Sequence, residues 1–134
     1  MMQALQNDDL GKLVLRLMVG GFMILHGISK VLNPGSLDFI GGTLTSAGLP
    51  AFIAYGVYVG EVLAPLLIIA GVYCRAGGLL IAVNMMFAIG LVHAGEALSL
   101  TDRGTWAIEL QGFFLFGGLV IALMGSGKFA VKAD

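Results

Sequence analysis

Four apolar runs, each long enough to cross a bilayer, leave this chain almost no alternative to a membrane. The hydrocarbon core is roughly 30 Å thick and a helix rises about 1.5 Å per residue, so a spanning helix needs about 20 residues. Runs of that length fall at about 11–32, 51–73, 76–98 and 105–125 and use most of the 134 residues. A membrane β-barrel would alternate apolar and polar residues in strands of about ten, a pattern these continuous runs do not follow. Composition agrees: 58% of residues are hydrophobic and 11% charged, against roughly 45–50% and about 25% in soluble domains. The expected fold is all-α, a four-helix transmembrane bundle forming a single membrane domain over residues 1–134.

The runs are punctuated clearly. Asn33-Pro34-Gly35 ends the first, and the Gly/Ser/Thr-rich connection 33–50 closes on Pro50. Its stretch from Leu37 to Leu44 suits a short interfacial helix, and Cys74-Arg75 reads as a tight turn between the second and third spans. Residues 1–10 are polar and acidic, so no cleavable signal peptide is expected and the first span stays as an anchor. Lys12, Arg75, Lys128 and Lys132, with Arg16 close by, fall on one side of the membrane, and Lys30 and Arg103 on the other. The positive-inside rule then predicts cytoplasmic N and C termini. A single cysteine, Cys74, excludes an internal disulfide, and a net charge of −1 implies no nucleic-acid partner. Gly56-x-x-x-Gly60 and the series Gly112, Gly117, Gly118 permit close helix packing.

Function is sought among the polar residues of the spans: Arg16, His26, Lys30, Glu61, Asn84, His93, Glu96, Glu109 and Gln111. An ionisable group at mid-span costs about 2.5–3.5 kcal/mol on insertion scales, so such residues are paired, wet or useful. Glu61 falls near the midplane of the second span, four residues before Pro65, which has no N–H to give the Glu61 carbonyl. A kink is expected there. Helical rise puts His26 roughly 7 Å and Lys30 roughly 13 Å above the midplane, with His93, Glu96 and Glu109 at similar depths. These groups form a predicted acid–base site opening outward, with Glu61 as its floor.

Facing is consistent only in part. His26 and Lys30 share a helix face, as do His93 and Glu96, whereas Asn84 and Gln111 project away from their neighbours. The latter two read as glue for a second interface, including one between protomers of a homo-oligomer. Lys30 and Arg16 read equally as side chains reaching along the helix to opposite membrane surfaces. Trp106, Tyr55 and Tyr58 suit an aromatic belt. Two histidines on separate helices match no known metal signature, so no metal site is assigned.

The arginine early in the first span, His26-Gly27 with Lys30, and the loop closing on Gly48-Leu49-Pro50 resemble the DoxX family. So do Gly60-Glu61, Gly71-x-x-x-Arg75 and Gly125-Ser126-Gly127, and the resemblance runs from Gly11 to about Phe129. It implies a small four-helix inner-membrane protein linked to quinone-pool redox work, though most such proteins have no established activity. Fold and family do not fix chemistry. The chain has no flavin, nucleotide, haem or iron–sulfur motif, so a redox role needs a bound quinone or a partner redox subunit.

Three readings follow, and whether the protein is an enzyme stays open among them. In the first, a quinone headgroup meets His26 and Lys30, with His93 and Glu96 lining its pocket, while Glu61 or Glu109 handles protons. In the second, Glu61 makes the protein a small proton-coupled carrier beside the Pro65 kink. In the third, the polar residues only lock a non-catalytic scaffold.

Overall fold

The computed structural model describes residues 2–134, and the described residues form helices joined by turns and loops, without strands. Five helices carry the chain: α1 (Asp8–Leu32), α2 (Gly35–Ser46), α3 (Ala51–Ala70), α4 (Cys74–Leu91) and α5 (Glu109–Met124). Among them α1, α3 and α4 are long and apolar enough to span a membrane, while α5, at 16 residues, is shorter. The short interfacial helix expected within the 33–50 connection is α2.

The surface of this molecule is apolar where that of a soluble protein is polar. Arg16, Glu61 and Ser126 are buried, whereas Phe113 and Leu123 are each 70% exposed. A surface of large apolar side chains around buried polar ones is stable only when lipid surrounds the helices. The chain is an integral membrane protein.

The core runs through Val19, Met23, Ile68, Ile81, Phe114 and Ile121. Helices α4 and α5 meet backbone to backbone: a Cβ on Gly78 would lie 2.5 Å from the Gly118 carbonyl oxygen, and one on Gly118 2.6 Å from that of Gly78. Gly118 thus serves the close packing its run of glycines suggests. Gly112 instead receives the Trp106 ring, whose indole N–H donates to the Ala97 carbonyl at 2.7 Å. Trp106 is a loop anchor as well as an interfacial residue.

Two boundaries differ from the sequence expectation. The tight turn lies at Gly71–Tyr73, where Gly71 (φ +83°) and Tyr73 (φ +49°) take left-handed conformations; Cys74 and Arg75 already belong to α4. Helix α4 ends at Leu91 and α5 begins only at Glu109, so His93 and Glu96 lie in the α4–α5 connection, Glu96 in its short 3-10 turn, rather than on one face of a long helix. That connection is closed by a bridge between Leu100 and Trp106.

At the opposite end two arginines tie the bundle together. Arg16 is 1% exposed and donates to the carbonyls of Ile68, Ile69, Ser126 and Phe129 at 2.7–3.2 Å. It does not reach to the membrane surface as expected, because the last carbonyls of α3, which lack helical partners, offer it a negative dipole end inside the bundle. Arg75 likewise caps α5 through the carbonyls of Ala122 and Leu123. The Asp9 carboxylate accepts from the Lys128 backbone N–H, so both terminal segments lie at the same end.

Candidate site at the Lys30–Glu61 ion pair

Helix α3 is not uniform. It starts as a 3-10 turn (Ala51–Tyr55) and widens to a π turn at Val59–Leu63, where the Ala64 N–H reaches back to the Val59 carbonyl. Pro65 follows. Its ring would collide with the carbonyl four residues back, that of Glu61, and a widened turn moves this carbonyl aside. Where the sequence leads one to expect a kink, the helix carries a π turn at Val59–Leu63.

The displaced carbonyl faces Gly27 of α1, where an added Cβ would fall 2.0 Å from the Glu61 oxygen. Gly27 thus lets α1 lie directly against the irregular turn. One turn further along α1, Lys30 donates to Glu61 Oε1 at 2.5 Å. Helical side chains lean toward the N-terminus, so Lys30 points down from its own Cα toward the level of Gly27 and Glu61. This lean closes the depth difference that simple helical rise predicts between the two residues.

The second carboxylate oxygen, Oε2, accepts from Asn84 Nδ2 of α4 at 3.0 Å. Asn84 belongs to the site, not to a second interface. Its angle to His93 misleads because α4 stops before His93, so nine residues of ideal helix do not separate them. Gly60 makes the approach possible, since a Cβ there would sit 2.5 Å from that of Asn84. Gln111 also turns inward, with Nε2 3.4 Å from His93 Nε2.

Cavities flank the pair. The larger, about 430 Å³, is lined by Lys30, Ser36, Glu61, Asn84 and His93 on its polar side, and by groups such as Phe39 and Phe87 elsewhere. The smaller, about 100 Å³, is lined by His26, His93, Gln111 and Phe114, and again by Lys30 and Glu61. Lys30, Glu61 and His93 border both. His26 packs its ring edge-on against Phe114 at 5.5 Å between centroids. The Nδ1 of His93 is buried without a hydrogen-bond partner; Glu96 Oε2, at 3.9 Å, is too distant to serve.

Of the residues nominated by sequence, Lys30, Glu61, His26 and His93 converge on these cavities. Glu96 is exposed and touches the site only loosely through His93, and Glu109 is exposed at the start of α5, lining neither cavity. Asn84 and Gln111, which the sequence assigns to a second interface, join the site instead. The signal for Asn84 was its amide near the level of Glu61; the helix projection misdirected it. A small helical membrane bundle with a lysine paired to a buried glutamate beside a mid-sized cavity is the class of protein these features define.

The sequence model of the DoxX family matches residues 11–94, and the chain belongs to that family. It is 34% identical over 122 residues, covering 90% of this chain and 84% of the relative, to a Bacillus subtilis (strain 168) protein named "Putative oxidoreductase CatD". No solved structure gives a match.

Proposed function

We propose that this protein is a redox-associated membrane subunit that receives a quinone headgroup in the larger cavity. The observation that carries the reading is the cavity's lining: the hydrogen-bonded set Lys30, Glu61 and Asn84, with His93 and Ser36, in a wall otherwise made of apolar side chains. Sites for small organic ligands are mostly apolar with a few convergent polar groups, and about 430 Å³ lies within their usual range. The oxidoreductase name of the Bacillus relative supports the same direction.

The residues fit such a ligand. A quinone ring presents carbonyl acceptors, and the site offers donors. The Lys30 ammonium has three N–H groups and gives one to Glu61. His93, with its proton on Nδ1, holds a buried donor without an acceptor. Quinone reduction consumes electrons and protons in equal number; a partner redox subunit supplies the electrons. Lys30 orients the ring carbonyl. Glu61, bordering both cavities, anchors the Lys30 ammonium and is the carboxylate through which a proton would pass toward the ring, with His26, His93 and Gln111 lining the smaller chamber behind. Asn84 keeps the carboxylate in place through Oε2.

Pairing with Lys30 disfavours the carrier reading, because a neutralised Glu61 has little attraction for a cationic substrate. The test is titration of purified protein in lipid nanodiscs with a tail-less quinone. Saturable binding is expected, weakened about tenfold or more by Lys30→Met. No saturable binding overturns the proposal. Unchanged affinity in Lys30→Met and Glu61→Gln, with a lowered melting temperature, indicates the scaffold role instead.

We further propose a cytoplasmic membrane location as one membrane domain, with both terminal segments facing the cytoplasm. The basic residues Lys12, Arg75, Lys128 and Lys132 support that orientation. Reporter fusions at either end should be active only as cytoplasmic reporters; periplasmic-type activity at either terminus reverses the assignment.

A further inference from the structure

Half of the residues lining the smaller chamber are polar: His26, Lys30, Glu61, His93 and Gln111. A space of about 100 Å³ bounded by that many polar side chains has room for several water molecules, each with the partners a buried water needs. The Glu61 carboxylate and the His93 ring thus border one hydrogen-bonding space.

The two ring nitrogens of His93 have different surroundings. Nε2 lies 3.4 Å from the side-chain amide nitrogen of Gln111. Nδ1 is buried without a hydrogen-bond partner, 3.9 Å from Glu96 Oε2. Glu96 belongs to the short 3-10 turn Ala94–Glu96 and its side chain is 57% exposed, so a change of rotamer or one bridging water closes that gap. A histidine between a polar chamber and an exposed carboxylate can accept a proton on one nitrogen while releasing one from the other. Gln111 suits both resulting tautomers, because its NH₂ donates to a bare Nε2 and its carbonyl accepts from an Nε2–H.

From this arrangement we infer that His93 is a proton relay between Glu61 and the surface at the α4–α5 connection, with Glu96 as the outer terminus. Inward, Glu96 gives a proton to Nδ1 while the Nε2 proton leaves through the chamber for Glu61. The ring changes tautomer, is neutral before and after, and no electron moves; outward transfer is the reverse. This rests on the reading of Glu61 as the carboxylate through which a proton passes, and adds the side with which it exchanges: the end opposite both terminal segments. Glu96, which lines neither cavity, acts here as a surface group rather than a ligand contact.

The test uses the whole protein in sealed vesicles of uniform orientation, with a membrane-impermeant caged acid on one side only. Time-resolved infrared absorption follows the protonated Glu61 carboxyl band, identified by its loss in Glu61→Gln, after a flash releases protons. The band should rise faster when protons are released at the α4–α5 face than at the face of the terminal segments. His93→Gln should slow that rise about tenfold or more, and Glu96→Gln should slow it by a smaller factor, both reaching the wild-type final amplitude. Circular dichroism verifies the fold of each variant; Glu96→Gln alters an exposed side chain and keeps the test open should His93→Gln unfold. Equal rates from the two sides overturn the inference, as does an unchanged rate in either folded variant. Absence of a Glu61 band at every pH where the protein stays folded overturns it together with the proton role of Glu61, while quinone binding, measured separately, still stands or falls on its own titration.

Discussion

At the scale of single residues the site turns on one ion pair in a place where charge is costly. Glu61 is 4% exposed, and the Lys30 side chain 26%. Removing one member of a buried pair leaves an uncompensated charge and costs about 3–5 kcal/mol, whereas neutralising both is often tolerated. Lys30→Met alone should therefore destabilise, toward the low end of that range because Lys30 is partly exposed. Adding Glu61→Gln should restore most of the loss while keeping the Asn84 hydrogen bond. Melting of both single variants and the double variant measures this coupling; strictly additive losses would show that the pair contributes no net attraction. The candidates Glu61, Lys30, His26 and His93 were legible in sequence because ionisable residues are rare in spans. Their partners Asn84 and Gln111 were not, because a helix projection cannot see where α4 ends.

At the scale of elements, the decisive feature is the fit of α1 to the π turn of α3. Pro65 and Glu61 announce an irregular helix in the sequence, and the turn at Val59–Leu63 is where it occurs. What the sequence does not announce is that Gly27 must lie on that turn for Lys30 to reach the carboxylate. Gly27→Ala would drive a methyl into the Glu61 backbone. Overpacking usually costs about 1–3 kcal/mol, and contact with rigid backbone places this substitution at or above the upper end. The expected result is a lowered melting temperature with loss of ligand binding. A neighbouring control, Gly21→Ala, meets open space and should leave both unchanged.

Over the whole molecule, the two ends of the bundle have different tasks. The end carrying both terminal segments is locked by Arg16 and Arg75 on backbone carbonyls. The other end is left with the cavities and the ion pair. Arg16→Leu should release the segment 125–134 and strand carbonyls of Ile68, Ile69, Ser126 and Phe129, each costing about 1–3 kcal/mol if left buried without a donor. Faster proteolysis of that segment, together with a lower melting temperature, is the expected readout; unchanged protection would show that other contacts hold the tail. Arg16→Lys should rescue little, because an ammonium cannot reproduce the flat fork of donors that spans four carbonyls.

The sequence by itself determined the membrane, the helices and the scarcity of charge that points to Glu61 and Lys30. Each of these follows from transfer energies and helical period, which act locally along the chain. Only the tertiary structure decided that Arg16 faces inward to carbonyls, that Lys30 bends down to Glu61, and that Glu109 stands apart. Those outcomes depend on which backbone approaches which, and in a lipid-embedded bundle close packing of small residues sets that approach, not hydrophobicity.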